Sequence, residues 1–170
     1  TVSHHPWLQE IGKEQGITLI PGQEVTTHRG HANAFGDIGW IDFRQDQQTW
    51  VEEVESRGGI LSINHPIDAD CAWMAPLTKR PLAVELWHST WYRDLYSTGA
   101  LAWFAAWDRD AVLLGGNDFH TADSPQRPGT PVTWVAATEN TPEAILEGVR
   151  AGRTSITGSV DYDGKVITPR

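Results

Sequence analysis

Short apolar runs that stop at a histidine or an acid recur along this chain, and that recurrence limits the folds open to it. Residues 60–63, Ile-Leu-Ser-Ile, lead straight into Asn64-His65-Pro66, where proline ends strand pairing. Residues 82–87, Leu-Ala-Val-Glu-Leu-Trp, lead into His88, and residues 111–116 lead into Asn117-Asp118-Phe119-His120. Residues 17–27 are of β type, interrupted at Pro21-Gly22, and they deliver Glu24 with His28, Arg29 and His31 close behind. In an extended chain residues i and i+2 share a face, so Asp118 and His120 should face one pocket while Phe119 packs backwards. Gly115 and Gly116 should let the backbone turn out of that strand. An acid left bare at the mouth of an apolar strand costs several kcal/mol, so Asp118 needs a partner: a helix cap, an ion pair or a metal.

Helical patterns lie between these runs. Residues 4–15 place Trp7, Leu8 and Ile11 at helical spacing, with Ser3 available as a cap and Gly16 as a stop. Residues 45–57 set Trp50, Val51 and Val54 against acids and end at Gly58-Gly59, and residues 94–107 are apolar over most of a helical circumference. Thr141-Pro142-Glu143 reads as a helix start, running to about residue 151. Further strands are expected at 131–138 and 154–157, with a short strand and a turn within 32–41. This alternation predicts one α/β domain over residues 1–170 with parallel strands joined by right-handed crossovers. In such folds the carboxyl ends of the strands form the functional face. Glu24, His31, His65, Asp118 and His120 all fall there. Histidines scattered through a core or a surface would show no such preference, which favours a metal site over caps and ion pairs.

Composition narrows the partners. Lys and Arg number 13 against 22 Asp and Glu, a formal charge of −9, which argues against a nucleic-acid binder and leaves a small-molecule substrate as the expected partner. Seven histidines beside so many acids supply the nitrogen and oxygen donors that divalent metals take. Cys71, the sole cysteine, excludes an intramolecular disulfide and a Cys-rich zinc cluster. No apolar run reaches the length of a membrane span.

The ordered set Gly22-Gln23-Glu24-Val25-Thr26, Gly30-His31-Ala32-Asn33, Ile63-Asn64-His65-Pro66 and Gly116-Asn117-Asp118-Phe119-His120 resembles the PHP (polymerase and histidinol phosphatase) superfamily of metal-dependent hydrolases. The pieces around Glu24-Val25-Thr26-Thr27 and Gly30-His31, with residues 143–153 near the end, look most like the branch that contains carbaryl hydrolase. The similarity covers nearly the whole chain. It implies a distorted seven-stranded βα barrel holding two or three divalent metals, zinc, manganese or iron, at the carboxyl ends of its strands. It also implies roles: Glu24 as a bridging carboxylate, His31 and His65 as later ligands, and Asp118 and His120 as the closing pair. Chains of the family begin with a His-x-His strand and then an Asp-His pair. Neither occurs upstream of Glu24, and Thr1-Val2-Ser3-His4-His5 resembles the family's segment just after the Asp-His pair, so the expected barrel is incomplete at its N-terminus.

Cations clustered in a complete site lower the pKa of a bound water and offset charge building on an ester or phosphoryl oxygen. The superfamily resemblance thus implies a phosphoesterase, phosphatase or phosphodiesterase, using a metal-activated water, and the branch implies a carbamate or ester hydrolase. The missing ligands favour a third reading, a non-catalytic metal-binding domain. His120 can be a ligand or a catalytic proton shuttle, and spacing does not separate the two. His28, Arg29 and His88 lie beside expected ligands and are candidates for holding a substrate anion, or are solvated loop residues. Ser62, Ser89 and Cys71 lack the sequence context of a covalent nucleophile. Trp73, Trp87 and Trp91 lie near the loops of the expected active face, where an aromatic mouth would suit an aryl ester, whereas Trp50, Trp103 and Trp107 read as core.

Overall fold

The computed structural model describes residues 2–88, 99–123 and 128–158. Helix α1 (His5–Gln15) carries Pro6 in its first turn and stops at Gly16, whose φ of 69° only glycine adopts freely. Its cap position is His4 rather than Ser3, and no side chain caps it. His5 ties the helix to the sheet, with Nδ1 3.1 Å from Asp37 Oδ1 and Nε2 3.0 Å from the Gly22 carbonyl. Strands β1 (Gly22–Thr27) and β2 (Gly30–Phe35) form a hairpin closed by His28 and Arg29. Helix α2 (Gln47–Ser56) starts at Asp46, whose carboxylate accepts from Thr49 N–H at 2.8 Å. Next come β3 (Ile60–Ile63), β4 (Ala83–His88), α3 (Gly99–Trp107) and β5 (Val112–Gly116). Strands β6 (Val132–Val135) and β7 (Thr154–Thr157) flank α4 (Pro142–Arg150). Thr141 Oγ1 caps α4 by accepting from Ala144 N–H at 3.2 Å, as the sequence predicts.

Five strands form one sheet in the order β1-β2-β3-β4-β5, and β6 pairs with β7 in a separate ribbon. The β3–β4 and β4–β5 pairs are parallel, but β1–β2 and β2–β3 are antiparallel, which corrects the all-parallel expectation. Two residues between β1 and β2 are too few for a crossover, so the chain must turn back on itself. The ribbon is pinned to β5 by side chains: Thr133 Oγ1 accepts from Gly115 N–H at 2.7 Å and donates to Gly115 O, while Thr154 Oγ1 donates to Leu113 O at 3.1 Å. Among the described residues the architecture is therefore α/β with a five-stranded sheet and a two-stranded ribbon, and a continuous seven-stranded barrel ladder is not present.

Strand alternation sorts the side chains onto two faces. Val25, Ala32, Ala34, Leu61, Ile63 and Val84 meet Trp50, Val51 and Val54 of α2, and the α3 residues Trp103, Phe104 and Trp107 pack against the same cluster. Ile60, Ala83, Val112 and Leu114 on the other face meet Leu146 and Val149 of α4. By the same alternation Glu24, Asn33, Ser62 and Glu85 belong to this second face. Trp73 stacks edge-on against Trp50, 6.4 Å between ring centroids, and is buried in the first cluster instead of lining a pocket mouth. Trp91 and the expected helical residues 94–98 lie outside the described residues.

Candidate metal centre

The hairpin register builds the first half of the site. Directly opposed residues of an antiparallel ladder share a face, so pairing of Glu24 with Asn33 and of Thr26 with His31 makes Glu24 and His31 diagonal neighbours. Asn64 extends β3 along that ladder, its N–H donating to His31 O at 3.0 Å, and its side-chain Nδ2 donates to Glu24 Oε1 at 3.1 Å. Glu24 Oε1 then lies 3.2 Å from His31 Nδ1 and 3.7 Å from His65 Nε2. One donor atom from each of Glu24, His31 and His65 falls within 4.8 Å of the others. Two ligands each about 2.1 Å from an ion at a tetrahedral angle stand about 3.4 Å apart, so this spacing fits a divalent cation. The donor set fits too, as one carboxylate and two imidazoles suit zinc, manganese or iron. Asn64 Oδ1 and His65 Nδ1 are buried without a hydrogen-bond partner among the described residues.

Electrostatics keep the carboxylate of this group ionised and draw a proton toward His65. The neighbouring His65 imidazole outweighs desolvation, with help from Asn64 and His31, and holds the Glu24 carboxyl down at about 2. Burial pulls His65 down, but Glu24, Glu85 and Asp118 together bring it above the ordinary histidine value.

A line of rings leads to the second half. The His65 ring stands 4.9 Å from His31 and 4.9 Å from His88, centroid to centroid. His88 ends β4 in a buried position, 3.7 Å from Asp118 Oδ2 through Nε2. Asp118 Oδ1 is 3.5 Å from His120 Nδ1, which also lies 2.8 Å from the Asp118 carbonyl. Glu24, His31 and His65 thus connect through His88 to Asp118 and His120, all at the end of the sheet where β1, β3, β4 and β5 finish and β2 begins. Burial, with the charge of His65, pushes His88 down to about 4, so its imidazole is neutral near pH 7. His88 therefore belongs to the interior of the site, whereas His28 and Arg29 are exposed on the β1–β2 turn.

Backbone conformation singles out the same place. His65, with φ 25°, and Asp118, with φ 54°, are the non-glycine residues with positive φ among the described residues. Such backbone costs on the order of 1–3 kcal/mol per residue and tends to mark functional sites. It also overturns the extended reading of Asp118-Phe119-His120: the i, i+2 rule does not apply, Phe119 is 46% exposed, and the His120 side chain is 69% exposed. Gly115 and Gly116 lie within β5, and neither has positive φ. What they supply is room, since a Cβ would strike Ile156 at Gly115 and the Glu85 carboxylate at Gly116.

Sequence reasoning passes over Glu85, because it stands inside strand 82–87 and matches no motif. It is buried, its Oε2 accepts from the His65 backbone N–H at 2.8 Å, and burial pushes its carboxyl up to about 7. The available signal is an acid in the middle of an otherwise apolar run. Beside it a cavity of about 310 Å³ opens between the second face of the sheet and α4, bordered by Asn33, Ser62, Asn64 and Glu85 at its polar end.

No family model matches this sequence, and no curated protein does. The structure is similar to the crystal structure of a two-domain protein from Bacteroides vulgatus containing a predicted PHP-like metal-dependent phosphoesterase, with a TM-score of 0.65 and 21% identity. The match covers 89% of this chain and 48% of that one, so this chain spans about half its length. The likeness is one of fold.

Proposed function

We propose that this chain carries the metal centre of a PHP-type hydrolase that cleaves phosphate esters. The observation that supports the reading is the meeting of Glu24 from within β1 with His31 near the start of β2 and His65 just after β3, continued through His88 to Asp118 and His120. The fold shared with the Bacteroides vulgatus protein, itself containing a predicted metal-dependent phosphoesterase, agrees with it. On this reading the sheet and ribbon are pieces of the distorted seven-stranded barrel of the family. Glu24, His31 and His65, with His88 and Asp118 beside them, would hold divalent cations. When bound, a cation lowers the pKa of a water and offsets negative charge developing on the phosphoryl oxygens.

The protein's own groups do the rest. Asn64 orients the Glu24 carboxylate, which is ionised across the physiological range and releases no proton on binding. His120, at the exposed rim with Nδ1 donating to the Asp118 carbonyl, keeps Nε2 as an acceptor and serves as proton shuttle. On the β1–β2 turn at the same end of the sheet, Arg29 supplies positive charge for a substrate anion and His28 a ring N–H donor. Burial of Trp73 weakens the case for an aromatic mouth, and with it the carbamate alternative.

Metal titration calorimetry with zinc and manganese, followed by assays on an aryl phosphate and an aryl carbamate, tests the proposal. Uptake of at least one cation per chain, its loss in Glu24→Gln, and faster phosphate hydrolysis are the expected results. No uptake would overturn it. Uptake with a preference for carbamate would move the substrate class, and uptake without hydrolysis of either would leave a non-catalytic metal-binding domain.

A further inference from the structure

We infer that Glu85 is a positioning residue for this centre: from inside β4 its carboxylate clamps the backbone of His65 in a left-handed turn and so aims the imidazole at the cation. The inference rests on the metal reading above and adds a residue that is not itself a ligand. His65 occupies a backbone conformation that an L-histidine adopts only at a cost, on the order of 1–3 kcal/mol, so neighbouring groups must hold it there. Two groups do. The His65 N–H donates to Glu85 Oε2 at 2.8 Å, and its carbonyl accepts from Asp68 N–H at 3.0 Å. The first bond is buried at both ends, and a carboxylate acceptor makes it stronger than an amide–amide bond.

The surroundings are shaped around the carboxylate. The register between β4 and β5 shifts between Glu85 and Trp87, a bulge of the kind that re-aims a side chain. Across it stands Gly116, where any Cβ would overlap Glu85 Oε1. Three strands thus contribute: β3 presents the residue to be held, β4 the clamp, and β5 the space. Stability alone does not explain an acid here, because the charged groups bearing on Glu85 include two further carboxylates, Asp118 and Glu24, and much of the cavity beside it is apolar. An apolar residue would spare the fold the desolvation of a buried carboxyl. What an apolar residue lacks is an acceptor for the His65 N–H.

Glu85→Gln keeps an acceptor oxygen and Glu85→Leu removes it, so the pair separates positioning from bulk. Three measurements on each protein suffice: hydrogen exchange of the His65 amide without metal, zinc affinity by calorimetry, and the metal-free thermal midpoint at pH 7.5. In Glu85→Leu we expect lost protection at His65, zinc affinity weaker by about 10–100-fold, the range for outer-shell partners of metal ligands, and a midpoint close to that of wild type, because relief of the buried carboxyl's desolvation offsets the unsatisfied His65 N–H. Glu85→Gln should retain the protection and stay within about threefold in affinity. Unchanged affinity in Glu85→Leu, or a His65 amide that is unprotected in the wild type, overturns the positioning role and leaves the metal reading standing. A wild-type chain that takes up no zinc overturns the metal reading and, with it, the ligating orientation assigned to His65.

Discussion

The two halves of the site use similar side chains but are built differently. Glu24 and His31 sit on a ladder of six residue pairs whose other face buries Val25, Ala32 and Ala34 against Trp50, Val51 and Val54. Asp118 and His120 come after the end of β5 with no strand partner, one in a left-handed conformation and the other largely exposed. Moving the first pair means breaking register and core together; moving the second needs only a change of loop torsions. Metal affinity should therefore reside in the strand-built half, and proton and substrate exchange in the loop-built half.

The largest expected effect falls on the hub of the strand-built half. Glu24→Gln removes the negative charge shared by His31 and His65, and a loss of about 4 kcal/mol would weaken metal binding roughly a thousandfold. Calorimetry of both variants ranks the halves: a greater loss in Asp118→Asn than in Glu24→Gln would invert the comparison.

Protonation gives the next contrast, in metal-free protein. Glu85 is held up at about 7 against an ordinary 4.5, so between those values the folded chain keeps a proton that the unfolded chain releases. Its stabilising share is complete below the lower value and is lost as pH rises through about 7. His88, down at about 4 from 6.5, does the reverse, as stability falls when acidification charges it more readily in the unfolded chain. The slopes oppose one another across mildly acid pH. In Glu85→Gln the His88 slope is no longer opposed by Glu85, so urea unfolding should show stability climbing from pH 4 to 6.5 and exceeding wild type at pH 8 by on the order of 3 kcal/mol. Parallel curves for the two proteins would place this pH dependence outside the strand-built half.

Asp118→Asn comes third, weakening metal binding by about 10–100-fold, while Glu85→Gln should stay within about threefold. Equal losses would show that the loop carboxylate is not a ligand.

Much of this arrangement is legible residue by residue. Periodicity and punctuation place α1, α2 and α4 to within a few residues, find β3 and β7 at their observed bounds, and put His65 just after β3 and His88 at the end of β4, whereas Glu24 lies within β1. Pairing is not legible. The turn His28-Arg29 carries none of the Asn-Gly or Asp-Gly signals of a tight hairpin, so β2 reads as part of a mixed stretch and the sheet as parallel. Gly116 is explained by Glu85 and Gly115 by Ile156, partners that periodicity within one segment cannot reveal. Glu85 escapes notice for the same reason, since its significance lies in the His65 backbone it touches.

His120→Ala should have the smallest effect on binding and fold. The side chain is largely exposed and its ring contacts its own loop through the Asp118 carbonyl, so unfolding stability should stay within about 0.5 kcal/mol of wild type. Metal affinity should fall by no more than about threefold, because this half contributes geometry that a loop can relax. Turnover is the sensitive readout: a lost proton shuttle costs about 10²–10⁴-fold, and a small exogenous base such as imidazole should restore part of it. Affinity falling as far as in Glu24→Gln, with no rescue by imidazole, would make His120 a ligand and show that the loop holds metal as firmly as the ladder.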